Sequence, residues 1–148
     1  MRLVFAHPFL FGFVIIVGFW VAISVLLSHL GGWAALARQY GYSGEFVGER
    51  WKRQSGQMRY LMGYNNCLIL GANREGLYIS VAVPFLLGHP PLFIPWGEIS
   101  VTREKVLWFK RAQLSLGRET PVPFQISERL ADKLKASAGQ SWPLEALS

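Results

Sequence analysis

Basic and aromatic residues cluster in the last third of the chain, at a spacing that could bind an anionic surface. Leu107, Trp108 and Phe109 stand between two groups of basic residues, and this pattern predicts the tip or edge of a hairpin. Cationic side chains beside apolar ones suit an anionic membrane or a groove on a protein. The alternative is a solvated strand edge whose charges prevent aggregation. The candidate lipid-binding or partner-binding residues are Lys52, Arg53, Arg103, Lys105, Trp108, Lys110 and Arg111.

The sequence contains no combination of residues that predicts catalysis. Asp132 is the single aspartate, and the pattern of the last helix places it on the exposed face. The histidines, His7, His29 and His89, are scattered along the chain, so no nucleophilic triad can be composed from them. No group of His, Cys, Asp and Glu has the spacing of metal ligands. We therefore expect a non-enzymatic protein that uses no cofactor and no metal.

Three other polar features have structural interpretations. Gly71 and Gly76 have the spacing of a phosphate-binding loop, but Leu77-Tyr78 stands where that loop needs Lys followed by Ser or Thr. We interpret this segment as a hairpin turn between two strands. Glu98 is expected to cap a backbone group or to form an ion pair rather than to act as a base. Cys67 lies in an apolar run and is expected to be a small core residue.

An uncharged segment near the N-terminus is long enough to cross a bilayer. It contains nineteen residues, from Phe9 to Leu27, and as a helix it would extend roughly 28 Å, close to the thickness of the hydrocarbon core. The alternative is a cleaved signal peptide, whose apolar region usually has about 7–15 residues. The small residues of Ala35-Leu-Ala37 come too long after the apolar run to form a convincing cleavage site. The sequence therefore predicts a retained, single-pass transmembrane anchor.

Charges around this segment favour a cytoplasmic C-terminal domain. Only Arg2 precedes the span, whereas several basic residues follow it, and basic residues are enriched on the cytoplasmic side. Gly18 and Ala22 have the small-xxx-small spacing that lets a second helix approach closely. A purely lipid-facing helix is the alternative interpretation of this pair. The basic residues that follow the span are Arg38, Arg50, Lys52 and Arg53.

A short helix is predicted directly after the span. Trp33, Leu36, Ala37 and Tyr40 share one face of this segment, which either lies along the membrane interface or packs on the domain. Trp33 stands where an aromatic interfacial anchor is expected. Residues 41–44 then form a linker of glycine, tyrosine and serine.

The remainder of the chain predicts about seven short strands followed by one amphipathic helix. Ser127 is a good N-cap, and the stripe formed by Leu130, Ala131, Leu134 and Ala138 would face a core. We expect an α+β, mainly β fold, in which a small β-barrel is closed by the C-terminal helix. The predicted units are a tail and transmembrane helix (1–30), an interfacial helix and linker (31–45), the β domain with its helix (46–139) and a tail (140–148).

Several motifs of the chain resemble an uncharacterised family of bacterial single-span membrane-anchored proteins. The Gly-Leu-Tyr strand followed by an Ile-Pro-Trp-x-Glu-Ile strand is also similar to GRAM and pleckstrin-homology (PH)-like domains, and implies a PH-like barrel that binds lipids or proteins. The segments that carry the resemblance are Tyr64–Leu68, Arg74–Ile79 and Gly88–Ile99, preceded by Gly32-Trp33, Leu36-Ala37 and Tyr40.

The resemblance does not extend to a phosphoinositide signature. That signature places one Lys, followed by either Lys-x-Arg or Arg-x-Arg, around the first hairpin. Lys52 and Arg53 match its first part, but Gln57-Met-Arg59 stands where the second basic pair is needed. This departure argues against specific phosphoinositide recognition.

The charge of the predicted domain completes the functional hypothesis. From Arg38 onward there are fourteen basic and nine acidic residues, which gives a net charge of +5. We expect a membrane-anchored PH-like binding or scaffold module in the bacterial inner membrane, contacting anionic lipid or a protein partner. The alternative is an accessory single-span subunit of a larger membrane complex. Nucleic acid is not expected as a partner, because the span holds the domain at the membrane.

Overall fold

Three α-helices and eight strands make up most of the chain that the structure describes. The computed structural model describes residues 8–30, 32–42, 44–59, 62–82, 89–106, 109–118 and 121–147. The helices are α1 (Pro8–Leu30), α2 (Trp33–Tyr40) and α3 (Glu128–Ala138). The strands are β1 (Glu49–Met58), β2 (Met62–Ala72), β3 (Gly76–Val81), β4 (Leu92–Pro95), β5 (Ile99–Val106), β6 (Phe109–Leu116), β7 (Val122–Ser127) and β8 (Glu145–Leu147). The expected α+β, mainly β class is confirmed.

The strands form one sheet that curls into a half-barrel, in the order β4-β3-β2-β1-β7-β6-β5-β8. All neighbours are antiparallel except β5 and β8. β1 joins the two halves, and its register against β2 shifts on either side of Gln54. Such bulges bend a strand and increase its twist. Gly56 follows the second shift, where a Cβ atom would lie 2.6 Å from the ring of Phe124, so glycine allows the curled strand to pack on the core.

Helix α3 closes the concave side of the sheet. Its apolar stripe is buried, as predicted, with Leu134 and Ala138 fully inaccessible. The hydroxyl oxygen of Ser127 accepts a hydrogen bond from the backbone N–H of Leu130 at 3.2 Å, which makes Ser127 the N-cap. The C-terminal segment, predicted to be a tail, contributes β8 and places Trp142 against Trp96, with ring centroids 5.2 Å apart.

Helix α2 packs on the domain, which decides between the two predicted arrangements. Trp33 is fully buried and donates its indole N–H to the carbonyl oxygen of Pro90 at 2.8 Å. The structure thus places Trp33 in the protein core and not at the exposed interfacial position expected of an anchor, because the domain provides both an apolar cavity and an acceptor for the indole. Beyond the helix, Gly41 forms a bridge with Leu92 of β4.

Helix α1 is long and apolar enough to cross a membrane over Pro8–Leu26, by its length and composition. Most of its large apolar side chains are exposed, including Phe9, Phe13 and Phe19. Gly18 and Ala22 lie on the same helix, and a Cβ atom added at Gly18 would meet nothing within 4 Å in the described part of the chain. The predicted helix-packing pair is therefore accessible.

A cationic groove between strands β1 and β7

The seam between β1 and β7 opens into a groove. The two strands are paired at Gln57–Gln125 and Met58–Phe124. Away from these pairs they diverge, because β1 stays paired with β2 and β7 stays paired with β6 as far as Arg111–Ser127. The space left between the diverging strands has a volume of about 670 Å³. This size is within the range of about 300–1,000 Å³ that is usual for ligand sites.

Three basic side chains line this groove. Arg53 comes from β1, whereas Lys110 and Arg111 come from the beginning of β6, and all three are exposed. Among the described lining residues there is no carboxylate. The remaining polar lining consists of amides and hydroxyls, which donate hydrogen bonds to anions: Gln54, Ser55, Gln57, Asn66, Gln125 and Ser127.

The backbone under the groove is strained at Arg53. Its φ of 57° is in the left-handed region, which asparagine tolerates, as Asn66 does with a φ of 55°, but which arginine rarely adopts. The backbone N–H of Asn66 donates to the hydroxyl of Ser55 at 2.9 Å, which cross-links β1 to β2 beside Arg53. Strained residues of this kind tend to cluster at binding sites, where the fold holds a side chain in a particular direction.

A further concentration of charge lies where β5 and β6 meet. Lys105 and Lys110 are directly opposite each other in the β5–β6 pairing, and both are exposed. Like charges opposite one another on neighbouring strands are destabilising, so an anion bound near Lys110 would relieve repulsion as well as gain attraction. Lys52 is exposed on β1 beside Arg53 and does not line the groove. Trp108 lies outside the described residues.

Arg103 serves a different purpose from the one predicted for it. Its side chain is only 16% exposed and donates to Glu145 at 2.9 Å and to Asp132 at 3.0 Å, with Glu128 at 3.8 Å. It therefore joins β5, α3 and β8, and the sequence-based assignment to a lipid or partner surface is corrected. The hydrogen bond from Arg103 lowers the pKa of Glu145, which also accepts from the indole of Trp142 at 2.9 Å.

A buried polar cluster, which the sequence did not indicate, fixes α2 to the sheet. The hydroxyl of Tyr64 lies 3.1 Å from Nε2 of His89, and both rings pack against Trp33. Burial raises the pKa of Tyr64 well above its ordinary value. His89 is next to Pro90, whose carbonyl oxygen accepts from the indole of Trp33, so both residues hold this segment against α2.

A second concavity, of about 520 Å³, lies between the linker and the β2–β3 turn. It is lined by Phe46 and Phe93 and by three charged residues, Glu45, Arg74 and Glu75. Its two carboxylates and single guanidinium make it a poor site for an anion. The groove is the better candidate site.

Several groove residues were absent from the sequence-based candidates. Asn66 and Gln125 carry no local signal, because their approach to Arg53 and Arg111 depends on how the strands pair. Their polarity within strands is the one hint, since alternate strand positions that face a core should be apolar.

The groove thus presents three cations together with amides and hydroxyls, which are groups that attract and hydrogen bond anions. No group of three or more His, Cys, Asp and Glu in the described residues could hold a metal ion. No protein-family model matches the chain, and neither a curated protein nor a solved structure matches it significantly.

Proposed function

We propose that this protein is a non-enzymatic binding module of the bacterial inner membrane, with a PH-like domain that α1 holds at the cytoplasmic surface. The observation that carries this proposal is the groove, in which Arg53, Lys110 and Arg111 meet without an opposing carboxylate in the described lining. Glu104 is paired with Arg111 in the β5–β6 register, but the lining of the groove itself carries an excess of positive charge, which attracts anionic ligands.

The architecture supports both parts of the proposal. Seven antiparallel strands closed by α3 are compatible with the PH-like domain that the Gly-Leu-Tyr and Ile-Pro-Trp segments suggested. The anchor is supported by the length and apolar surface of α1 over Pro8–Leu26. The cytoplasmic orientation rests on the excess of basic residues after the span.

A capture experiment with the full-length chain tests the binding function. The chain is reconstituted in zwitterionic proteoliposomes, which are mixed either with vesicles that contain phosphatidylglycerol or with solubilised membrane and cytosolic proteins of the host. The groove variant carries Arg53→Glu, Lys110→Glu and Arg111→Glu. The control variant carries the same reversal at three exposed basic positions outside the groove, Arg74, Arg129 and Lys133.

We expect the wild-type chain and the control variant to capture anionic vesicles or a specific protein, and the groove variant to lose that capture. Equal capture by all three chains would refute the groove as the binding surface. Release of the chain from membranes by alkaline carbonate would refute the anchor.

The accessory-subunit function is a second candidate, favoured by the accessible Gly18 and Ala22 on α1. Small residues allow two helices in a bilayer to pack closely. In that case Gly18→Leu would break up a larger assembly extracted with mild detergent, whereas the groove variant would leave its size unchanged.

A further inference from the structure

We infer that the occupant of the groove is an acidic segment of another protein, rather than lipid headgroups of the membrane that holds α1. This inference rests on the proposed function and names the class of partner for the same site.

The exit of α1 lies at one end of the barrel strands. A Cβ atom added at Gly32, two residues after α1, would lie 2.8 Å from Nε of Arg59 and 3.1 Å from a methyl group of Val122. Arg59 directly follows β1, and Val122 begins β7. The end of β1 and the beginning of β7 therefore adjoin the span.

The groove cations lie towards the other end of the same strands. Arg53 comes five residues before Met58 on β1, and Lys110 comes six residues before Leu116, which pairs with Val122. At about 3.3 Å per residue on the regular strand β6, Lys110 is roughly 20 Å along the sheet from the exit of α1. Arg53 is nearer, because the bulges on either side of Gln54 shorten β1. The separation of Lys110 is about twice the screening length of roughly 8–10 Å in physiological salt.

The chain enters the domain directly after the span. Gly32 has a φ of 85° and is buried beside Arg59, and Trp33 is fully buried and hydrogen bonded to Pro90. Because these contacts hold the end of the strands that adjoins the span, the cations towards the other end are better placed for a protein partner than for the headgroups around α1.

The chemistry of the groove suits several carboxylates along an extended chain. Its cations stand on opposite walls, Arg53 on β1 and Lys110 with Arg111 on β6. Guanidinium groups bind carboxylates in a bidentate manner. The side chains of Gln57 and Gln125, at the closed end of the seam, can donate to backbone carbonyls of such a segment.

Fluorescence anisotropy with a defined probe tests this inference. The full-length chain is placed in nanodiscs of zwitterionic lipid and titrated with a fluorescein-labelled decaglutamate peptide at two salt concentrations. The groove variant carries Arg53→Asn and Arg111→Gln, since asparagine tolerates the left-handed backbone at position 53. The control variant carries Arg129→Gln and Lys133→Gln on the exposed face of α3.

We expect saturable binding that salt weakens, and a loss of about tenfold in affinity in the groove variant, as two partly exposed ion pairs would give. The control variant should bind as the wild type does. A urea midpoint within experimental error of the wild type establishes that each variant is folded. If Arg53→Asn is unstable, Arg111→Gln alone replaces the double variant, and its affinity for the probe is expected to fall about threefold.

Three results would overturn the inference. The first is equal affinity of the probe for the wild type and a folded groove variant. The second is displacement of the probe by millimolar inorganic phosphate at constant ionic strength, which would assign the groove to a phosphate group. The third is a groove-dependent capture of phosphatidylglycerol vesicles without binding of the probe, which would assign the groove to lipid. In that case the proposed binding function stands, and the acidic segment as its occupant is refuted.

Discussion

Replacing Arg103 by methionine is expected to destabilise the domain without affecting the groove. Methionine retains the unbranched apolar stem of arginine and removes the charge. The substitution would leave Glu128, Asp132 and Glu145 close together, with Lys135 at 3.6 Å from Glu145.

The size of the effect follows from how exposed each ion pair is. The side chains of Arg103 and Glu145 are 16% and 22% exposed, whereas that of Asp132 is 63% exposed. Breaking a buried pair costs about 3–5 kcal/mol, and an exposed pair contributes about 0.2–1 kcal/mol. The pair with Glu145 lies between these limits, so we expect Arg103→Met to lower the free energy of unfolding by about 2–3 kcal/mol at pH 7.

The loss should depend on pH with a definite sign. Arg103 lowers the pKa of Glu145 below its ordinary value of 4.5. A carboxyl whose pKa is lowered on folding contributes stability above its unfolded pKa and loses it as the pH falls through the folded value. The difference between the wild type and Arg103→Met should therefore be full at pH 7 and decrease below pH 4.5.

Urea denaturation of the full-length chain in detergent, followed by tryptophan fluorescence, measures this difference. Arg129→Met is the matched control, because Arg129 is exposed on the same helix that Arg103 contacts. A loss in Arg103→Met no larger than in the control would refute the structural role of Arg103. An equal loss at pH 7 and at pH 3.5 would show that the effect does not come from ion pairing.

Three further predictions concern packing. Gly56→Ala should lower the free energy of unfolding by about 1–3 kcal/mol in a urea titration, because the new methyl group would clash with Phe124. Gly63→Ala, at a groove position with open space, is the control and should be neutral. Equal urea midpoints for the two variants would contradict the prediction. Trp33→Phe removes the indole donor and should cost about 2 kcal/mol by urea denaturation, so an unchanged midpoint would place this side chain outside the core. Burial raises the pKa of Cys67, so its reaction with a thiol reagent at pH 8 should be at least about tenfold slower in the folded chain than in urea; equal rates would show an accessible thiolate.

Elements with local signals could be predicted from the sequence. Ser127 and the apolar stripe predicted α3, and each has its expected role in the structure. The segment between Gly71 and Gly76 was predicted to be a hairpin turn, and there the side chain of Asn73 accepts from the backbone N–H of Gly76 at 3.0 Å. These signals depend on residues only a few positions apart, which is why the sequence reveals them.

Features that depend on distant segments could not be predicted. Arg103 was assigned to a lipid or partner surface because it belongs to the basic and aromatic cluster around Trp108, but α3 and β8 surround it with carboxylates. β8 is three residues long and forms only because β5 offers an unpaired edge. Of the candidate cations, the structure brings Arg53 together with Lys110 and Arg111, although Arg53 lies on β1 and the other two lie on β6, far away in the sequence.

The joint between α1 and the domain has a mechanical consequence. Two glycines connect α1 to α2, and glycine-rich linkers are normally flexible. Here a Cβ atom at Gly32 would meet both Arg59 and Val122, and Trp33 is buried in the core immediately afterwards. The domain side of this connection is therefore held in place. In the proposed anchor, a change in the tilt of α1 that this connection transmits would reorient the groove together with the domain, without any change in the structure of the domain.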